Sequence, residues 1–219
     1  NIGRPMLDRM DEIQRNEPMV IELSSFQLEL FDPALSFGSL EQLGPDVAAI
    51  TNITPNHLDR HPSMAAYAAA KFNLLAHLRP DSQVILNADD AVTQRLRSGG
   101  VRLAESPLPS SWNMEPVLAA PRSQLAALQS PITFFSRTQQ LESGAWLAGD
   151  KLLYNGEVIC RRSQIKLRGD HNVSNLLAAA AISGAAGATV EAMGDIARSF
   201  AGVPHRLQIV AEMGGVTWI

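Results

Sequence analysis

A carboxylate, an imidazole and an amine in the N-terminal third of the chain carry most of the chemistry open to it. Glu22 stands near the end of an apolar run, Met19 to Leu23, and is followed by Ser24, Ser25, Phe26 and Gln27. In an α/β protein such a run reads as a buried strand that delivers Glu22 to the carboxyl edge of a parallel sheet, where ligands bind. A carboxylate there can hold Mg²⁺ beside a nucleotide. Ser24 or Ser25 can cap the helix that follows, whose N-terminus favours phosphate. A glutamate before a capping serine is also an ordinary structural pattern. His57 lies with Asn52, Thr54, Asn56 and Asp59 after a second apolar run, and polar groups crowding a strand's carboxyl end are expected at a ligand site. A lone loop histidine is otherwise solvated or capping. Lys71 sits among alanines and apolar residues in Tyr67-Ala68-Ala69-Ala70-Lys71-Phe72. Burial lowers a lysine's pKa and frees the neutral amine for chemistry; the alternative is a surface lysine.

The elements that must position these groups follow from periodicity. Pro5 to Asn16 has the spacing of an amphipathic helix. Val47 to Ile53 and Gln83 to Ala88 read as buried strands, and Val101 to Ala104 as another. Ser63 caps a helix running to Leu78, ended before Pro80. Asp89 and Asp90 resemble catalytic paired carboxylates, but N-capping of a further helix explains them better. Strand alternating with helix gives a mostly parallel sheet covered on both faces. Ser106 to Pro131 carries five prolines and reads as an irregular excursion with one short helix, Ser123 to Leu128. From Ile132 the period becomes two. Ala145 to Ala148, Leu152 to Tyr154 and Val158 to Arg161 form a small antiparallel meander beside the main sheet, with Asn155-Gly156 as a hairpin turn. Asn172 to Gly187 is an Ala-rich helix, N-capped by Asp170 or Asn172, and Thr189 caps another to Ala201. Gly202-Val203-Pro204 reads as a hinge. Leu207 to Glu212 and Val216 to Ile219 form a hairpin around Gly214-Gly215.

Composition narrows the function classes. The 219 residues are 46% hydrophobic with a formal net charge of −4, so a large core is available and no basic footprint for nucleic acid exists. Cys160 is the single cysteine, which allows no intrachain disulfide and suits a reducing cytoplasm. The small-residue stretch Leu176 to Ala188 is broken by Ser183, Gly184 and Gly187 and reads as a packed helix, not a membrane span. The chain opens without methionine and stops within an apparent strand. It is therefore expected to be a piece of a longer protein, with a domain over 1–201 and a hinge opening the next domain over 202–219.

The wording around Glu22, Glu-Leu-Ser-Ser-Phe-Gln-Leu-Glu, resembles the signature of the Mur ligases in the branch that adds D-glutamate. The resemblance continues in order. Asn52 to Asp59 is similar to the family's Asn-x-x-x-x-His-x-Asp, whose histidine helps bind a second Mg²⁺. Tyr67 to Lys71 is similar to its Tyr-x-x-x-Lys, whose lysine is carbamylated by CO₂. His171-Asn172-Val173-Ser174-Asn175 resembles a nucleotide-contacting His-Asn-x-x-Asn, and Arg206 resembles a hinge arginine that contacts ATP. Asn1-Ile2-Gly3 resembles the end of a Gly-Asn-Ile-Gly motif near the muramoyl substrate. The resemblance implies metal binding and catalysis by Glu22, His57 and modified Lys71, and ATP contacts from Asn172, Asn175 and Arg206. Ser24, Ser25, Gln27 and Asn1 are the implied substrate contacts.

The same resemblance implies a central ATPase domain and a cytoplasmic, monomeric enzyme. The implied reaction joins D-glutamate to UDP-N-acetylmuramoyl-L-alanine through an acyl phosphate, using ATP and Mg²⁺, as a step in peptidoglycan precursor synthesis. No nucleic acid and no membrane enter as partners. No Gly-x-x-x-x-Gly-Lys-[Ser/Thr] loop occurs in these 219 residues, so nothing here cradles the β- and γ-phosphates, and the chain alone is expected to be inactive. Two other readings stand beside this one. The first is a sister or folylpolyglutamate-type ligase, which the wording around Glu22 disfavours. The second is a non-catalytic nucleotide-binding module, which a replaced His57 or Lys71 would have favoured.

Overall fold

The computed structural model describes Asp8 and residues 11–14, 17–33, 44–97, 106–129, 132–203 and 211–218. Its centre is a six-stranded sheet in the order β1 (Val47–Ile50), β2 (Gln83–Asn87), β3 (Thr133–Ser136), β4 (Ala145–Ala148), β5 (Lys151–Tyr154) and β6 (Glu157–Arg161). The first four strands run parallel and the last three antiparallel. The meander is thus a continuation of the main sheet rather than a separate layer beside it. Its join is economical. A parallel crossover usually needs a dozen or more residues, but β3 and β4 share only the pairs Phe135–Ala145 and Ser136–Trp146, so a short loop suffices. Gly144 makes that loop possible: its φ is +95°, and a Cβ there would lie 2.0 Å from the Phe134 carbonyl oxygen.

Alternation along the strands sends side chains to both faces. Ile50, Val84, Leu86, Phe134 and Trp146 face α2 (Met64–Ala76) and α3 (Glu115–Ala126), packing with Tyr67, Phe72, Leu75, Leu118 and Leu125. Ile85, Phe135, Ala145 and Leu152 face α4 (Asp170–Ala185) and α5 (Val190–Ser199), packing with Val173, Leu177, Ala181 and Met193. Small residues let the second pair of helices sit close; a Cβ on Gly184 would lie 2.2 Å from the Tyr154 ring. Ser63 and Thr189 cap α2 and α5 as their sequence contexts predict, each side chain accepting from a backbone N–H three residues on. A separate hairpin pairs β7 (Ala211–Met213) with β8 (Val216–Trp218). No helix among the described residues is long and apolar enough to cross a membrane.

Five expectations are corrected. Met19 to Leu23 is not a buried strand: the segment forms no regular element, joins no ladder among the described residues, and leaves Val20 90% exposed. An apolar run becomes a strand only where a neighbour offers its backbone groups, and none of the described strands does so here. The excursion holds a twelve-residue helix, α3, not a short one. Pro116 falls in its first turn, where a missing N–H is harmless. Pro121 lies in the interior and forfeits one backbone bond, but Leu118, Pro121 and Leu125 are buried together against the core, and that burial keeps the helix continuous. After Asp90 the chain makes a single 3₁₀ turn, Thr93–Leu96, instead of a helix. Finally, α4 begins at Asp170 with Gly169 (φ +87°) at its N-cap and no side-chain cap, so neither Asp170 nor Asn172 caps it. Residues 11–14 are a turn and irregular chain rather than helix, while the rest of the Pro5 to Asn16 helix, apart from Asp8, and the strand Val101 to Ala104 lie outside the described residues, as do Pro204 of the hinge and residues 205–210 after it.

Candidate active site

At the carboxyl end of β1 the chain turns through residues 51–61 before α2. Two aspartates organise this edge. Asp90 is buried, and its carboxylate accepts from the N–H groups of Ile53 (2.8 Å), Val92 (3.0 Å) and Thr93 (2.9 Å). It joins the end of β1 to the turn after β2. Burial pushes its carboxyl above the usual carboxylate range, against the pull of those three N–H groups. Asp89 accepts from Ser136 Oγ, Thr138 Oγ1 and the Arg137 N–H, joining β2 to the exit of β3. Sequence reasoning assigned both to capping. Asp90 does hold its own turn, but the cross-strand contacts had no sequence signal.

His57 and Lys71 come to the same ring. The Lys71 amine lies 5.2 Å from the Tyr67 ring centroid, and the His57 ring lies 6.5 Å from it. Burial pulls the Lys71 amine below its ordinary value, and the negative charge of Asp90 opposes that pull. Tyr67 is pushed up, by burial first and then by Asp90. His57 has φ +55°, a left-handed conformation uncommon for a non-glycine residue and costing about 1 kcal/mol or more. Its carbonyl accepts from both the Arg60 N–H (3.0 Å) and the His61 N–H (2.9 Å), which closes the turn.

Ser24 caps α1 (Ser25–Leu28), and Gln27 reaches back to the Ser24 N–H at 2.9 Å, completing a capping box. Those two side chains are therefore engaged with each other. Ser25 is buried, its hydroxyl 3.0 Å from His61 Nε2; Nδ1 of that ring lies 3.3 Å from Glu29. His61 was missed by sequence reasoning, because nothing in a loop histidine four residues past His57 announces its burial. Glu22 is exposed, and no hydrogen bond or ion pair ties its carboxylate to another described residue. Its approach to His57 and Lys71 is not brought about by the described contacts.

Asn172 and Asn175 do share a face at the head of α4, 3.4 Å apart. Beside them Asp170 pairs with Arg137 (3.0 Å) from the β3 exit and with Arg162 (2.5 Å), and these guanidinium groups hold its carboxyl below the usual range. Asn1 and Arg206 lie outside the described residues.

A cation site can be tested against these groups. Among the described residues no three His, Cys, Asp or Glu side chains gather closely enough to hold a metal. An imidazole and a partly buried amine do lie against the same tyrosine ring, and a carbamate on that amine with a carboxylate would complete a hard, oxygen-rich set suited to Mg²⁺. His57 and Lys71 fit that role, whereas Glu22 fits it in kind only.

Residues 4–183 match the Mur ligase middle domain. The UDP-N-acetylmuramoylalanine–D-glutamate ligase of Pelotomaculum thermopropionicum is 34% identical over 223 residues, covering all of this chain and 41% of that protein. Its counterpart in Acidobacterium capsulatum is 36% identical over 224 residues, again covering the whole chain and 41% of the relative. The chain thus spans about two fifths of the length of the curated relatives it matches. Among solved structures, MurF from Acinetobacter baumannii superposes with a TM-score of 0.54 at 20% identity, over 80% of this chain and 33% of that one, a likeness of fold. With a middle-domain match that runs from before the sheet to within its covering helix α4, this chain belongs to the Mur ligase family.

Proposed function

We propose that this chain is the central domain of an ATP-dependent ligase that joins D-glutamate to UDP-N-acetylmuramoyl-L-alanine through an acyl phosphate. The observation that carries this reading is the desolvated Lys71 amine beside Tyr67, His57 and Asp90 at the carboxyl edge of the sheet. A free carboxylate is a poor acyl donor. Transfer of the γ-phosphoryl group to it supplies a leaving group, which departs as phosphate when the amine of D-glutamate attacks.

Each residue's part follows from its setting. Burial favours the neutral form of Lys71, whose nitrogen can form an N–C bond with CO₂, releasing one proton and leaving an anionic carbamate. His57, held in its left-handed turn, offers an imidazole toward the same space. Glu22 would add a carboxylate. Mg²⁺ held by these three would supply positive charge against the oxygens of the transferring phosphoryl group. Asn172 and Asn175 present amides at the head of α4, suited to nucleotide contacts, and Arg206 would join them from the hinge.

Phosphate release by the full-length protein with ATP, Mg²⁺ and UDP-N-acetylmuramoyl-L-alanine tests the proposal. Release that depends on D-glutamate, and not on L-glutamate, L-lysine or D-alanyl-D-alanine, is the expected result. Release with another acceptor would move the chain to a sister activity. No release from folded protein would overturn the reading.

A further inference from the structure

The Ser25–His61–Glu29 cluster takes no part in the chemistry proposed above, and its surroundings are unusual for a loop histidine. The His61 side chain is only 2% exposed. One ring nitrogen meets Ser25 Oγ at 3.0 Å and the other meets Glu29 at 3.3 Å. Phe26 stacks on the ring with centroids 5.4 Å apart and planes 10° from parallel, and Tyr67 lies 5.2 Å away on another side. Arg60 then covers the Phe26 ring at 5.2 Å. A neutral His61 satisfies both polar partners when its proton sits on Nδ1: that N–H donates to Glu29, and Nε2 accepts the Ser25 hydroxyl.

This ring touches each of the three elements that make up the candidate site. Ser25, Phe26 and Glu29 belong to the signature turn, Tyr67 belongs to α2 one turn before Lys71, and His61 itself ends the turn that bends His57. The backbone of His61 also donates to the His57 carbonyl at 2.9 Å. Nothing else among the hydrogen bonds of the described residues holds His57 in a left-handed conformation except the parallel bond from Arg60 and one from its own N–H to Asn56 Oδ1. An unanchored turn would relax toward ordinary backbone angles and carry the imidazole away.

We propose that His61 is the positioning residue of this site: its buried ring clamps the signature turn to the 57–61 turn and thereby holds His57 at its left-handed angle beside Tyr67 and Lys71. Glu29 fixes the ring's tautomer, and Ser25 serves as the ring's partner, not as a substrate contact. The catalytic part of this inference rests on the ligase reading above; the clamp itself does not.

Two measurements on the full-length protein separate those parts. The first is amide hydrogen exchange, which needs no activity. His61→Ala and Ser25→Ala should each speed exchange in 24–31 and 57–61 while leaving β1 to β3 protected, and the double variant should add little to either. Independent, additive effects, or unchanged exchange in both segments, would overturn the clamp. The second is ligase kinetics. Misplacing a site residue by about 1 Å can cost roughly 10²-fold, so His61→Ala should lower kcat by roughly tenfold to a hundredfold with KM for ATP little changed, and His61→Gln, which keeps a donor and an acceptor, should recover much of the loss. A purely structural role would instead lower melting temperature and active fraction together, leave kcat per folded molecule intact, and overturn the positioning role. An inactive parent protein would sink the ligase reading while the exchange result still decided the clamp.

Discussion

Two regions frame the candidate site, and they are built by opposite means. The ends of β1, β2 and β3 are joined by parallel ladder pairs and then pinned by Asp90 and Asp89, whose carboxylates reach backbone groups across strands. The signature segment 24–31 has no ladder. It is clasped to α2 and to the 57–61 turn by side chains: Asn73 donates to the Leu28 carbonyl at 3.0 Å, His77 lies 2.6 Å from the Phe31 carbonyl, and His61 meets Ser25. The pinned half should unfold only with the whole domain, whereas the clasped half can open locally, as segments that bind ligands commonly do.

The largest expected effect tests the pinned half. Asp90→Ala strands three buried N–H groups, each costing about 1–3 kcal/mol. With relaxation we expect a global loss of about 3–5 kcal/mol by urea denaturation. A loss below about 1 kcal/mol would erase the contrast between the halves. On the clasped side, Asn73→Ala removes one partly buried bond and should cost about 1 kcal/mol, with faster amide exchange confined to 24–31 as the clearer sign. If Asn73→Ala were as costly as Asp90→Ala, the segment would belong to the global unit after all.

The same contrast explains what was legible in the sequence. β1, β2 and the meander strands were readable because short apolar runs are bounded by turn residues. α2 was readable from Ser63, and the hairpin from Asn155-Gly156, both of which adopt positive φ. These are local signals. Met19 to Leu23 has the same local signal as β2, yet a ladder is a non-local event and the run alone does not supply its partner. α3 was obscured because five prolines counted as breakers, although one lies in a first turn and another is buried in a helix interface. His57 and Lys71 were raised as candidates by their local settings and singled out by family wording. His61 was not found at all, since its burial is created by Phe26 and Tyr67, which arrive from other elements. Asp90 was seen as a cap because its bonds to Val92 and Thr93 are local and its bond to Ile53 is not.

A pH dependence sharpens the comparison where the halves meet. Lys71 titrates below its ordinary value when folded, because burial disfavours its charge. Between that lowered value and the unfolded value of about 10.4 the unfolded chain binds more protons, so this residue's contribution to stability rises with pH across the window. It is lost as pH falls through the folded value. Asp90 runs the other way. Its carboxyl is raised, so its contribution is full below the ordinary carboxylate range and declines as pH climbs through the folded value. Lys71→Met should therefore flatten the alkaline rise in urea midpoint and leave the acid side unchanged. Parallel curves for the two proteins would mean that Lys71 is solvated, and would remove the ground for its carbamate.

The smallest effect compares two caps of the same chemistry in different settings. Thr189 caps the ten-residue α5, whose Met193 and Ala197 are buried in the core. Ser24 caps the four-residue α1 in the clasped segment. Replacing a capping Ser or Thr by Ala typically costs about 1 kcal/mol. Thr189→Ala should show that loss in global stability, because α5 packs on the sheet and unfolds with it. Ser24→Ala breaks a capping box of equal local strength, but the lost energy falls on a segment that can open while the domain stays folded. Its global cost should stay within about 0.5 kcal/mol, the range of substitutions outside the cooperative core, while amide exchange at Phe26 and Gln27 accelerates. Equal global losses for the two would show that the signature turn unfolds only with the sheet, and the division into a pinned and a clasped half would have to be given up.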